Sequence, residues 1–392
     1  MCKKRLLLKV LTTVLCFNLM ISSEVLAVGN TTSVKNIQSL DLHPARISLD
    51  IDANQVFTKT AVINGWTLNY SGIKKVNIYV DDTFNGAAKF GIARTDVDKA
   101  YPGYSGGKNS GFQYTVNTSK LSNGNHIIKV TAIGKDGASK SISTSIKVLN
   151  NSTYYKDYSI TLSKFVDKEY ALGAINYIDA GSWKKADKQQ IAYYSNPNNF
   201  INNSGKYQFL KLNYTYGITI ENLNSTLTNR GNLKNHSSAF LTAGKKYNIS
   251  PLYLIAHSIL ETGSGQSKLA KGVIVTKVDG KAVIPRIVYN VYGVAAYDRD
   301  PIRLGAEFAY KHGWFSIDEA IIGGADFICS NFIRSEYYQQ DTLYKMRWNP
   351  NNIYHQYATD IGWAYKQVDL LKALIDKCPN AVLIFEIPRF KK

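Results

Sequence analysis

Glu261 closes a stretch whose residue types spell out a helix. Ser250 suits an N-cap and Pro251 a first helical position. Leu252, Ile255, Ala256 and Ile259 follow as an apolar stripe at helical spacing. Glu261 falls near the C-terminal end, and Gly263 is placed to terminate the helix. A helix C-terminus carries partial negative charge, so a carboxylate there is disfavoured and its pKa should rise. Partial burial would raise it further. A carboxyl that keeps its proton near neutral pH can give it to a leaving oxygen, which is the requirement of glycosidic bond cleavage. The same position also suits a glutamate that merely faces water.

Other chemistries find less support. His257 lies four residues before Glu261 on the same helix face. The pattern is not H-E-x-x-H and no third ligand is spaced to join the pair, so a packed or surface histidine is expected. No zinc or calcium loop is visible, and no metal or cofactor is implied. Ser258 is not set in a nucleophile elbow. Asp279-Gly280, between the β-rich runs Val273–Val278 and Lys281–Ile284, is a hairpin turn sequence.

The elements that must position these residues divide the chain of 392 residues. Lys3, Lys4 and Arg5, an apolar run from Leu6 to Ile21 and Val25-Leu26-Ala27 form a secretory signal pattern over 1–27. Residues 28–41 are a polar, flexible lead-in. Residues 42–149 read as β: Val76–Val80 before Asp81-Asp82, Ile127–Ile133 before Lys135-Asp136-Gly137, and Ser141–Val148. Short strands between turn signals predict a sandwich, with a hairpin at Ser122-Asn123-Gly124-Asn125. A polar linker follows over 150–160. Helical spacing then appears at Ser237–Tyr247, Pro251–Glu261, Pro301–His312, Ile317–Phe332 and Thr359–Asp376. The region 161–392 is therefore mainly helical with one small β excursion.

Composition narrows the partners. The net charge is +18. The stretch 1–27 holds four basic residues and one acidic one, so its removal leaves about +15. Such a field favours polyanionic surroundings, and secretion makes acidic wall polymers the expected ones. The basic residues are dispersed with no nucleic-acid motif, and no later stretch reaches membrane-spanning length. Cys2 and Cys16 leave with the signal; Cys329 and Cys378 remain, and their pairing is open.

The stretch Leu254-Ile255-Ala256-His257-Ser258-Ile259-Leu260-Glu261-Thr262-Gly263-Ser264-Gly265 and on to Ala270 resembles the signature of glycoside hydrolase family 73, the bacterial endo-β-N-acetylglucosaminidases. Tyr289–Val294 with Ala296-Tyr297-Asp298, Thr342–Pro350 and Tyr357–Asp360 resemble its later blocks in order. Residues 42–149, with Gly65-Trp66 and Ala100–Tyr104, more faintly resemble an Ig-like module attached to such enzymes. The resemblance implies an Ig-like sandwich followed by an α+β lysozyme-like catalytic domain. It implies a secreted, wall-associated hydrolase acting on peptidoglycan glycan strands, cutting between N-acetylglucosamine and N-acetylmuramic acid. Glu261 would be the general acid. Asn290, Tyr292, Tyr297 and Tyr357 would bind substrate, with Asp279 a possible second acid and the substrate's own 2-acetamido group an alternative to it. A muramidase or lytic transglycosylase would use the same scaffold, and an inactive copy would be a non-catalytic wall-binding protein.

Overall fold

The computed structural model describes residues 43–178, 182–297 and 299–392. The expected signal sequence and lead-in, and Asp298, lie outside the described residues. Alternating apolar residues build two sheets in the N-terminal region. One has the strand order Arg46–Leu49, Thr60–Leu68, Gly111–Asn117, Lys89–Ile92. The other runs Gln55–Phe57, Ser139–Val148, Gly124–Gly134, Ile73–Val80, Thr83–Ala87. Ala61, Ile63, Phe112 and Val116 of the first share a core with Val76, Ile78, Ile128, Val130 and Ile146 of the second. This is the period-two pattern of sheets buried on one face.

Two of the expected turns act locally. Asp81 and Asp82 have φ of 48° and 61° and close a two-residue hairpin, the left-handed conformation such turns require. Lys135-Asp136-Gly137 joins the next hairpin pair. The turn at Ser122–Asn125 is different. It carries the chain from one sheet to the other, so it is a crossover and not a hairpin. Its shape is held from outside: Asn123 Nδ2 donates to Asn150 O at 3.1 Å, and Asn150 N donates back to Asn123 Oδ1 at 2.5 Å.

His126 bonds to Asp81 Oδ2 at 2.6 Å and to Ser122 O at 3.0 Å. Burial acts to lower its pKa, but the Asp81 carboxylate and the Ser122 carbonyl outweigh it and the pKa is raised. A raised folded-state pKa gives stability that is complete below the unfolded value of about 6.5 and is lost as pH climbs through the folded one. The melting temperature should therefore fall as pH rises from about 6.5 through the raised folded-state pKa of His126. Asp81→Asn should flatten that slope; an unchanged slope in the variant would exclude this pair as its source.

The stretch 150–160, read above as a linker, is largely a strand. Ser152–Thr161 pairs in parallel with Ile384–Lys391 near the chain's end. Tyr, Ile and Thr suit a strand, but its partner lies more than 200 residues away. A compact charge cluster fixes the pair: Glu386 accepts from Tyr154 Oη at 2.8 Å and pairs with Lys345 Nζ at 2.7 Å, and Lys211 and Lys345 both pair with Asp341.

The helices Ser237–Tyr247, Pro251–Glu261 and Pro301–Lys311 fall where spacing put them. Ile317–Ile328 ends earlier than expected and passes into a wider turn over Cys329–Ile333. Thr359–Asp376 is not one helix. Asp360 Oδ1 captures Gly362 N at 2.9 Å, and the helices Trp363–Lys366 and Val368–Ile375 follow. Ile361, Ala364, Val368, Leu371 and Ile375 are nonetheless all buried. Cys329 and Cys378 are free and buried. Among the described residues no helix is long and apolar enough to cross a membrane.

Candidate active site

The helix Pro251–Glu261 is central to the C-terminal region. Every residue from Pro251 to Ile259 is buried, and the helix packs against Ser237–Tyr247 and Val368–Ile375. Ser250 Oγ caps it by accepting from Tyr253 N at 3.4 Å. Its other end is cut sharply. Gly263, Ser264 and Gly265 have φ of 54°, 62° and 77°, a left-handed run that cannot continue a right-handed helix. Thr262 O then accepts from both Gln266 N and Ser267 N at 2.9 Å. A side chain at Gly265 would meet Arg230 O at 2.4 Å, so only glycine fits there. The Thr-Gly-Ser-Gly sequence thus stops the helix immediately after Glu261 and leaves that residue at the surface.

The Glu261 side chain is 39% exposed. Burial of the rest raises its pKa. Burial is thus the cause in this structure, where the sequence pointed first to the helix end. Its neighbour is His257, with Nε2 at 4.0 Å from Glu261 Oε1. The His257 ring is only 2% exposed, and burial lowers its pKa to about 4. It is uncharged at neutral pH and makes no ion pair with the carboxylate. Gly293, at φ 63°, passes so close that a Cβ would lie 3.0 Å from Glu261 Oε2. The carboxyl is therefore walled by backbone on one side and by a neutral ring on another, with no cation among the described residues paired to its charge.

The other expected residues divide. Tyr357 is brought to the site: its hydroxyl lies 2.7 Å from His257 Nε2. Burial raises its pKa, and the nearby Glu261 charge raises it further. Its ring packs against Phe332 and Trp363, with centroids at 4.9 and 4.8 Å. Tyr292 lies beneath the surface at 3% exposure. It stacks on His257 at 5.8 Å and presses on Gly324, where an added Cβ would meet the ring at 2.2 Å. Its hydroxyl has no hydrogen-bond partner among the described residues. Tyr297 is 63% exposed, four residues beyond Gly293, and is open to a ligand.

Asn290 and Asp279 do other work. Asn290 is buried, donating to Val294 O at 2.8 Å and Gly305 O at 3.2 Å. It accepts from Tyr292 N and Val294 N. Its amide shapes the turn that carries Gly293. Asp279 sits at φ 48° in the tight turn of the Val273–Val278 and Lys281–Val288 hairpin. Lys311 Nζ holds its Oδ1 at 2.7 Å, and its backbone N donates to Glu307 Oε2 at 3.3 Å.

Sequence reasoning treated His257 as a packing residue and overlooked its bond to Tyr357. The one-turn spacing to Glu261 was the available signal. It also overlooked Glu169, Arg347 and Gln356, which hold the segment carrying Tyr357. Arg347 Nη1 meets Glu169 Oε2 at 3.1 Å across 178 residues of sequence, and no local pattern announces such a pair.

Residues 237–375 match a family model, Glucosaminidase, described as mannosyl-glycoprotein endo-β-N-acetylglucosaminidase. A β-N-acetylglucosaminidase of Bacillus subtilis (strain 168) is 44% identical over 230 residues, covering 57% of this chain and 25% of that protein. The chain thus spans about a quarter of the length of that relative. The crystal structure of S. aureus glucosaminidase B is similar at 36% identity and TM-score 0.53, covering 62% of this chain and 95% of that one. That of Major Bifunctional Autolysin is similar at 34% identity and TM-score 0.51, covering 62% and 100%.

Proposed function

We propose, because this chain belongs to the glucosaminidase family of glycoside hydrolases, that it cleaves the β-1,4 bond between N-acetylglucosamine and N-acetylmuramic acid in peptidoglycan. Glu261 is the general acid. The observation that carries the reading is the Glu261 carboxyl itself. It is open to solvent on one side, its pKa is raised by burial, and its neighbour His257 is neutral. A carboxyl so placed holds a proton for the oxygen that leaves C1 of the glucosamine.

The positive charge that develops at C1 is met by the substrate's 2-acetamido oxygen, which closes a ring onto that carbon. Water then opens the ring and returns a proton to Glu261. Asp279 is engaged by Lys311 and belongs to the turn, which favours this route over one with a second carboxylate. Asp279→Asn should therefore change kcat by less than about threefold; a loss beyond about a hundredfold would restore it to the mechanism.

The wider setting follows the same reading. The 1–27 segment directs secretion, the C-terminal region is the lysozyme-like catalytic domain, and the paired sheets are its Ig-like module. The surplus of positive charge favours anionic wall polymers as neighbours. Mass spectrometry of muropeptides released by the purified protein tests the bond assignment. Free N-acetylglucosamine reducing ends are expected. Muramic or anhydromuramic ends would instead assign a muramidase or a lytic transglycosylase.

A further inference from the structure

His257 is the buried polar side chain that the proposed reaction does not itself use. It lies inside the helix Pro251–Glu261, ringed by tyrosines. Tyr253, Tyr292 and Tyr357 have centroids 5.6, 5.8 and 5.4 Å from the imidazole. Apolar packing alone would be served better by leucine, since an imidazole brings two nitrogens that must be satisfied. Nε2 lies 2.7 Å from the Tyr357 hydroxyl and 4.0 Å from Glu261 Oε1.

A neutral imidazole carries one proton, and its position decides what the hydroxyl can do. If Nε2 accepted from Tyr357, the Tyr357 proton would be taken up in that bond, and a bare nitrogen with negative partial charge would lie 4.0 Å from Glu261 Oε1. If Nε2 carries the proton, it donates to Tyr357 Oη, places a positive partial charge on the side of the ring near Glu261 Oε1, and leaves the Tyr357 O–H free for another acceptor. The second arrangement is the electrostatically favoured one. We propose that His257 is a positioning residue whose Nε2–H grips the Tyr357 oxygen and aims the Tyr357 proton at the open side of Glu261, where the substrate binds. This rests on the reading of Glu261 as the acid.

Kinetics on a soluble peptidoglycan fragment test it, with reducing ends as the readout. His257→Leu and Tyr357→Phe should each lower kcat about tenfold or more while KM stays within about threefold. The double variant should be no slower than Tyr357→Phe alone, because the histidine acts through that hydroxyl. His257→Gln, which can still donate, should recover most of the rate. An unchanged kcat in His257→Leu, or losses that multiply in the double variant, would overturn the proposal. Long-range proton–nitrogen NMR of the unmodified protein supplies a test independent of variant folding. The His257 ring should be neutral with its proton on Nε2; a proton on Nδ1 overturns the proposal. The acid assignment fails separately, if Glu261→Gln retains turnover.

Discussion

Glu261→Gln is expected to lower turnover at least about a thousandfold while the protein remains folded. Glutamine has the same shape and cannot supply the acid proton. The change sits at the last residue of the helix, where the side chain meets solvent, so the buried positions Pro251–Ile259 are untouched. Stability should be unchanged or slightly raised. A carboxyl whose folded-state pKa lies above its unfolded value costs stability once pH passes the unfolded value, and burial puts Glu261 in that class. Loss of activity with an unlowered melting temperature is the signature of a residue kept for chemistry at some expense to the fold. The same sign governs the pH profile. Activity should fall as pH rises through the raised pKa of Glu261, because the acid form is then lost. His257, at about 4, does not supply that limb. A clear lysis band from Glu261→Gln in a zymogram would end the assignment.

What could be read in advance was whatever the chain decides locally. The helix Pro251–Glu261 is announced by Ser250-Pro251 at one end and by Thr-Gly-Ser-Gly at the other, and both signals act within a turn of where they stand. The Asp81-Asp82 and Asp279-Gly280 hairpins are legible for the same reason, since the left-handed residues themselves reverse the chain. Periodicity was a faithful guide to burial but not to continuity. Ile361, Ala364, Val368, Leu371 and Ile375 keep helical spacing and are all buried, yet Asp360 and Gly362 delay the start and the helix is split. Pairings between distant segments gave no signal. Ser152–Thr161 is a strand because Ile384–Lys391 lies beside it. Ser122–Asn125 has hairpin residues but crosses between sheets, because Asn150 ties it elsewhere.

The site divides along the same line. Residue type shows what a side chain can bond to, and the fold decides whether the partner is a ligand or backbone. Asn290 has the amide of a sugar-binding residue, and its bonds go to backbone, in the turn it closes and at Gly305 of the helix Pro301–Lys311. Tyr292 and Tyr297 are five residues apart in one motif, yet one is buried against a glycine and the other faces solvent. The bond between His257 and Tyr357 spans a hundred residues of sequence and depends on how the segment 355–361 is anchored.

That anchor is a buried ion pair, and breaking it should cost both stability and activity. Arg347 and Glu169 are 0% and 1% exposed and lie 3.1 Å apart. Arg347 also donates through Nε to Asp360 O at 3.0 Å and through Nη2 to Thr359 O at 3.1 Å. Its guanidinium rests 3.7 Å from the Trp348 ring centroid. Gln356 Nε2 donates to both Glu169 oxygens, at 3.1 and 2.9 Å. Burial raises the pKa of Glu169 and lowers that of Arg347 against the attraction between them, so each charge is tolerated only because the other is present. Arg347→Met leaves Glu169 as an unpaired buried acid and removes one donor from each of the Thr359 and Asp360 carbonyls. A loss of about 3–5 kcal/mol is expected, read by chemical denaturation. Adding Glu169→Leu to Arg347→Met should recover much of that loss, since an apolar pair of similar volume avoids the stranded charge. It should not recover turnover, because Thr359 and Asp360 still lack the guanidinium that holds their segment, and with it Tyr357, beside Glu261. A single Arg347→Met variant within about 1 kcal/mol of the parent would show that the pair does not anchor the segment. Full activity in the double variant would show that the position of Tyr357 is fixed by other contacts, with Met346 O, which accepts from Tyr357 N at 2.9 Å, the nearest candidate.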